Sequence, residues 1–159
     1  MKMSCENVKV FLESVGLGDR FCEREMTADT VAHAAESVGC TEAEIAKTMS
    51  FLLKDDSVIL VVASGDTKIA NAKYKATFGC KAAMLPFDRV EELTGHAPGG
   101  VCPFALPDGV RVYLDESLRR FPVSHISGGS HNTTVGLTPE ELERIVTPVC
   151  WVDVCAVKE

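Results

Sequence analysis

The chain has 159 residues, 46% of them hydrophobic, enough for one core and one domain. It holds no run of about 18 apolar residues that would cross a membrane. Its start, Met1-Lys-Met-Ser-Cys-Glu-Asn7, lacks the apolar segment of a signal peptide, so a cytoplasmic protein with no membrane partner is expected. The formal net charge of −7 sits poorly with an extended nucleic-acid interface and gives no reason to expect DNA as a partner, because phosphate neutralisation supplies much of such affinity. Lys68, Lys73, Lys75 and Lys81 are a local exception, with Asp66 the one acid nearby; they read either as a solvated face or as a modest phosphate-facing patch.

In chain order, Val8, Phe11, Leu12 and Val15 recur at helical spacing and predict an amphipathic helix over 5–14, ended by Gly16 and Gly18. A short strand is expected at Phe21–Glu25, then a helix from Thr27 to Val38 that stops at Gly39. Thr41-Glu-Ala-Glu44 matches a capping box and opens a short helix. Residues 48–53 and 57–63 flank the turn Lys54-Asp55-Asp56 and predict a hairpin, its second strand apolar enough to be buried on both faces. A helix over Asp66–Phe78, a strand at Lys81–Leu85 and a helix from Pro86 to Leu93 follow, stopped by Gly95. After a Gly/Pro-rich loop to Pro107 come a strand (Val110–Leu114), a short helix (Asp115–Arg120) and two strands (Val123–Ile126, Thr133–Leu137). Thr138-Pro-Glu-Glu141 starts a last helix with an N-cap threonine and a first-turn proline. Val149–Val154 reads as a final strand or as a hydrophobic patch. The irregular alternation predicts a mixed α/β fold: a curved, barrel-like, mostly antiparallel mixed sheet with helices outside.

Three places carry possible chemistry. In Gly95-His-Ala-Pro-Gly-Gly-Val-Cys-Pro-Phe104, Gly99 and Gly100 allow close approach to a ligand, while Val101 and Cys102 keep their amide protons and Pro103 stiffens the exit. Such a loop either aims backbone amides at one oxygen, as an oxyanion hole does, or is a plain surface turn. Lys47, in Ile45-Ala-Lys-Thr-Met-Ser-Phe51, is either a solvated lysine or a held point charge for a phosphate or carbonyl. Ser130, His131 and Asn132, in the turn between two strands, either read a polar substrate edge or cap their own backbone. His33 and His125 look packed or superficial.

Neither a Gly-x-Ser-x-Gly elbow nor a P-loop nor a dinucleotide fingerprint is present. The seven cysteines contain no Cys-x-x-Cys pair, so no metal is expected and no cofactor is implied. Cys102 as a nucleophile has no histidine or lysine fixed beside it by local sequence and is the weaker reading.

Several strings, in order, resemble the YbaK/prolyl-tRNA synthetase-associated editing domain family: Thr30–Cys40, Glu44–Phe51, Val61–Asp66, Gly99–Ala105, Val112–Leu118, Ser127–Asn132 and Leu137–Leu142. The resemblance spans residues 5–147; the chain is thus expected to be a single editing domain, 1–159, with 148–159 as an extension of unassigned role. It implies an aminoacyl-tRNA deacylase that cleaves the ester of mischarged tRNA, such as Cys- or Ala-tRNA(Pro), and works as a separate editing protein. The partners it implies are the aminoacylated tRNA 3′ end and an aminoacyl-tRNA synthetase. A non-catalytic tRNA- or synthetase-binding module of the same fold is the alternative. By the resemblance, Lys47 matches the lysine near the terminal adenosine, and Gly99, Gly100, Val101, Cys102 and Pro103 match the Gly-x-x-x-Pro loop at the ester carbonyl. Ser130, His131 and Asn132 fall in the late pocket-lining turn, and Thr30 near the same pocket.

Overall fold

The computed structural model describes residues 2–24, 30–98, 100–130 and 132–158. In chain order, α1 (Lys2–Ser14) is followed by β1 (Phe21–Glu23), α2 (Val31–Val38), β2 (Ile45–Leu52), β3 (Val58–Ser64) and β4 (Thr67–Ile69). Then come α3 (Asn71–Phe78), α4 (Val90–Thr94), β5 (Arg111–Asp115), β6 (Ser124–Ser127), β7 (Thr133–Leu137), α5 (Pro139–Val146), β8 (Trp151–Val152) and β9 (Cys155–Val157).

Among the described residues seven strands form one mixed sheet in the order β1-β7-β6-β2-β3-β5-β8, and β4 pairs with β9 in a separate two-stranded ribbon. The mixed α/β class is as the sequence predicts. Within the large sheet β1/β7, β7/β6 and β2/β3 are antiparallel, whereas β2/β6, β3/β5 and β5/β8 are parallel.

Strand β3 is the spine. Ile59 to Ala63 are wholly buried, as the uninterrupted apolar run requires. Leu60 and Val62 face a core shared with Val8 and Leu12 of α1, Leu142 of α5, and Phe104. Ile59, Val61 and Ala63 face the opposite core with Tyr74 of α3 and Val154 of the C-terminal segment. Phe51, Tyr74, Phe78 and Tyr113 stack there in sequence, with ring centroids 4.7–5.1 Å apart.

Helix α5 starts as its sequence dictates. Thr138 Oγ1 accepts from the Glu141 amide at 3.1 Å, and Glu141 Oε1 accepts from the Thr138 amide at 3.0 Å. The Arg20 guanidinium adds a two-pronged ion pair with Glu141, each arm 2.8 Å, that ties the turn before β1 to this helix.

Several expectations are corrected. Asp66–Phe78 is not one helix: Thr67 and Ile69 pair with Val157 and Cys155, so the β-branched start becomes β4, and α3 begins at Asn71. Lys81–Leu85 is extended but forms no strand; it makes a single bridge, Met84 with Phe51, before Pro86. The helix after Thr41 is one 3-10 turn, Glu42–Glu44, so Lys47 stands inside β2 and not at a helix end. Helix α2 is seen from Val31, with the expected start at Thr27, and the expected strand end at Glu25, outside the described residues. The C-terminal alternatives resolve as two short strands. Among the described residues no helix is long and apolar enough to cross a membrane.

Candidate functional site

Strands β2 and β6 pair at only two positions, Ile45 with His125 and Ala46 with Ile126. Beyond them β2 continues along β3, while β6 ends at Ser127 and turns away. The far end of the gap is closed by residues 83–85, where the Leu85 amide donates to Ser50 O at 3.2 Å and the Leu52 amide to Ala83 O at 2.8 Å. The opening between is a cavity of about 420 Å³, floored by β2 and walled by α2, the glycine loop and the β6–β7 turn. That volume lies within the range of small-ligand sites. Met84 and Phe87 stand at its edge, 65% and 79% exposed.

Lys47, Thr30, Val101 and Ser130 all line this one cavity, although they are up to 100 residues apart in sequence. Lys47 is half-buried, and its ammonium donates to the carbonyl oxygen of Thr67. Burial, and then the Lys158 ammonium, draw the Lys47 pKa below its ordinary value, against the pull of Cys155 and Asp66. The lysine is thus a held charge with a carbonyl anchor. Thr30 caps α2, its Oγ1 accepting from the His33 amide at 3.1 Å.

The glycine loop packs directly on the β6–β7 turn. A Cβ at Gly100 would lie 2.7 Å from Gly129 O and 3.0 Å from its carbonyl carbon, so only glycine permits this approach. The Gly100 amide donates to Ala97 O at 2.9 Å and is therefore committed to the loop. Among the described residues the amides of Val101 and Cys102 meet no acceptor; Val101 lines the cavity, whereas Cys102 is wholly buried and does not. The Cys102 side chain points away from the cavity into the core, 0% exposed, 3.5 Å from His96 Nε2. Burial pushes its thiol up to about 12, which removes it as a nucleophile at neutral pH. Pro103 is buried and lines a second cavity on the α1 and α5 side, not the one that holds Lys47. Gly99 and His131 lie outside the described residues.

In the turn, Ser130 Oγ bonds Asn132 Oδ1 at 2.8 Å and Thr133 Oγ1 at 2.9 Å, while Asn132 Nδ2 donates to Arg24 O at 3.4 Å. Ser130 therefore both braces the turn and faces the cavity, whereas Asn132 ties the turn to the segment after β1.

Sequence reasoning passed over His125, which lines the cavity from β6. Its alternation with buried Ser124 and Ile126 was the available signal, since strand period 2 puts it on the other face. Gly136 on the neighbouring strand leaves room for the ring, whose Nδ1 would lie 3.3 Å from a Cβ there. Burial draws the imidazole pKa below the ordinary histidine value, against the pull of Glu44. Among the described residues no three His, Cys, Asp or Glu side chains converge as a metal site would require.

An open mixed sheet with a cleft where two parallel strands part, a held lysine on its floor and the Val101 segment on its wall defines a small-ligand binding domain. The aminoacyl-tRNA editing domain family model matches residues 25–145, and the chain belongs to that family. It is 44% identical to the uncharacterized protein YwhH of Bacillus subtilis (strain 168) over 153 residues, covering 96% of this chain and 98% of that protein. A proline–tRNA ligase of Brachyspira hyodysenteriae is 24% identical over 156 residues, 96% of this chain but 27% of that enzyme. Among solved structures, a proposed trans-editing enzyme for prolyl tRNA synthetase superposes with a TM-score of 0.86 at 28% identity, covering 96% of this chain and 97% of that one. The hypothetical protein APE2540 superposes with a TM-score of 0.85 at 31% identity, covering 94% and 99%.

Proposed function

We propose that the protein is a trans-editing aminoacyl-tRNA deacylase, which hydrolyses the ester of tRNA mischarged with a small amino acid, such as Cys- or Ala-tRNA(Pro). The observation that carries this reading is the meeting of Lys47 and the Val101 segment in one cavity. Membership of the editing family and the likeness to a proposed trans-editing enzyme support it.

The chemistry needs no protein nucleophile. The Val101 amide holds the ester carbonyl oxygen and stabilises the negative charge that builds there when water adds to the carbonyl carbon. The bond to the ribose 3′ oxygen then breaks, and that oxygen takes up a proton, releasing free amino acid and tRNA. Lys47 holds the terminal nucleotide by charge, so the ester is presented in one pose; such positioning supplies much of the acceleration for an already activated ester. A hydroxyl of the terminal ribose helps to place the water. Selectivity comes from exclusion: the wall formed by Val31, Ala34 and Val101 limits the side chain that fits.

The test is a panel of alanyl, cysteinyl, seryl and threonyl esters on several tRNAs. Turnover of at least one small-residue ester, faster than the buffer rate, is expected. Retained tRNA binding with no turnover on any ester would replace the hydrolase with a binding module.

A further inference from the structure

The residues after α5 lie beyond the segment matched by the family model, yet they touch the key lysine's anchor. Among the described residues, β9 is the sole partner of β4 in their ribbon, pairing Val157 with Thr67, Ala156 with Lys68 and Cys155 with Ile69. Thr67 is the residue whose carbonyl holds the Lys47 ammonium. The arm is pinned along its length. The buried Asp115 carboxylate accepts from the Val154 amide at 2.9 Å, the Ala70 amide donates to Val154 O at 2.8 Å, and Lys73 Nζ donates to Cys155 O at 3.2 Å. The Lys158 amide donates to Asp66 O at 2.8 Å, so this last lysine is fixed opposite Asp66.

Strand alternation puts Lys68, Ala156 and Lys158 on one face of the ribbon, opposite the buried Thr67 and Cys155. Both lysines are exposed, and among the described residues neither forms an ion pair. Asp66, whose carbonyl accepts from the Lys158 amide, has its carboxylate already taken by the Arg120 guanidinium at 2.6 and 3.2 Å. Arg120 and Lys47 both act on the Asp66 carboxylate, and Lys68 and Lys158 add two exposed cations on the same ribbon of a chain of net charge −7. Lys158 is also near enough for its charge to act on Lys47.

We infer that the β4–β9 ribbon is a phosphodiester-binding site, in which Lys158 and Lys68 grip the backbone of the tRNA 3′ strand next to the nucleotide held by Lys47. This rests on the deacylase reading of the Lys47 cavity. It gives the C-terminal arm a role: the arm brings one cation and orders the strand that bears the other. It also reconciles an acidic protein with an RNA substrate, because the grip is confined to a few phosphates.

The experiment compares wild type with Lys158→Ala, Lys68→Ala, the double variant and Lys158→Arg on mischarged tRNA between 50 and 200 mM salt. A second substrate, the 3′-aminoacyl ester of adenosine, carries no phosphodiester. Each alanine variant is expected to raise KM for the tRNA about fivefold at low salt, to leave kcat unchanged, and to reduce the log–log salt slope by about 0.7 to 0.9 per lysine. Lys158→Arg is expected to keep the slope, and all variants to cleave aminoacyl-adenosine as wild type does. An unchanged slope, or an equal loss on aminoacyl-adenosine, overturns the inference while leaving the deacylase reading intact. If wild type cleaves no ester, the deacylase reading fails, and the salt slope of tRNA binding, measured by fluorescence anisotropy, decides the ribbon separately: a smaller slope in the variants upholds it and an equal slope overturns it.

Discussion

Gly100→Ala is the smallest change that tests the seating of the glycine loop. Gly100 does not adopt a positive φ, so alanine suffers no backbone strain there and the effect is purely one of space. The new Cβ would meet Gly129 O at 2.7 Å, where ordinary contact begins at 3.4 Å, and the neighbours are backbone atoms that cannot rotate aside. The loop and the β6–β7 turn must then part by the difference between 3.4 and 2.7 Å, about 0.7 Å. Overpacking of this kind costs about 1–3 kcal/mol of stability. It also moves the Val101 amide proposed to hold the ester carbonyl, and a misplacement near 1 Å costs on the order of 100-fold in rate. Single-turnover deacylation of mischarged tRNA, with the folded fraction checked by thermal melting, is expected to slow roughly 10- to 100-fold while the protein stays folded. Leu118→Ala, a deletion in the fully buried core, serves as the comparison: stability falls by about 2–5 kcal/mol with turnover per folded molecule retained. A Gly100→Ala variant that turns over at the wild-type rate would refute the amide-loop mechanism.

Lys47→Ala is expected to reduce kcat/KM by about 100-fold with a far smaller change in melting temperature, and an equal loss of folding would return Lys47 to a structural role. Because burial depresses the Lys47 pKa, binding of a non-hydrolysable 3′-aminoacyl-amide analogue should weaken as pH rises through a value below the ordinary 10.5, and in Lys47→Arg this alkaline loss should vanish. Cys102→Ala should lower stability by about 1–2 kcal/mol, as loss of a buried sulfur does, yet keep turnover; loss of activity with the fold intact would revive the thiol nucleophile. The Glu141 carboxyl is held below its ordinary pKa of 4.5, foremost by its hydrogen bond from Arg20. Its folded pKa lies under its unfolded one, so the stabilisation is present above the unfolded value and is lost as pH falls through the folded one. Acid unfolding followed by circular dichroism should therefore begin at a higher pH in Glu141→Gln, and coincident curves would remove the Arg20 pair from the stability of α5.

What the sequence discloses is mostly local. The capping box at Thr138, the both-face burial of β3 and the stop at Gly16 each depend on neighbours a few residues away, and each is legible from the string. The helix expected over Asp66–Phe78 fails because Thr67 and Ile69 acquire a partner almost 90 residues later, and no local pattern announces β9. Lys47 and the glycine loop were visible as residues, but their meeting depends on β2 and β6 parting after two pairs, a property of the whole sheet. The order of the strings and the family likeness brought them together before the fold did. His125 escaped because alternation within a four-residue strand is a weak signal, and Cys102, expected in the site, is wholly buried and lies outside the cavity lining.

The most direct measurement is the initial rate of ester cleavage by the wild-type protein on alanyl- and cysteinyl-tRNA(Pro), set against prolyl-tRNA(Pro) and against buffer. The Lys47 cavity predicts rapid release of the small noncognate residues, at least about tenfold faster than release of proline, since a methylene or two of excess bulk is worth that much in a confined site. Cleavage at the buffer rate for every small-residue ester would contradict it.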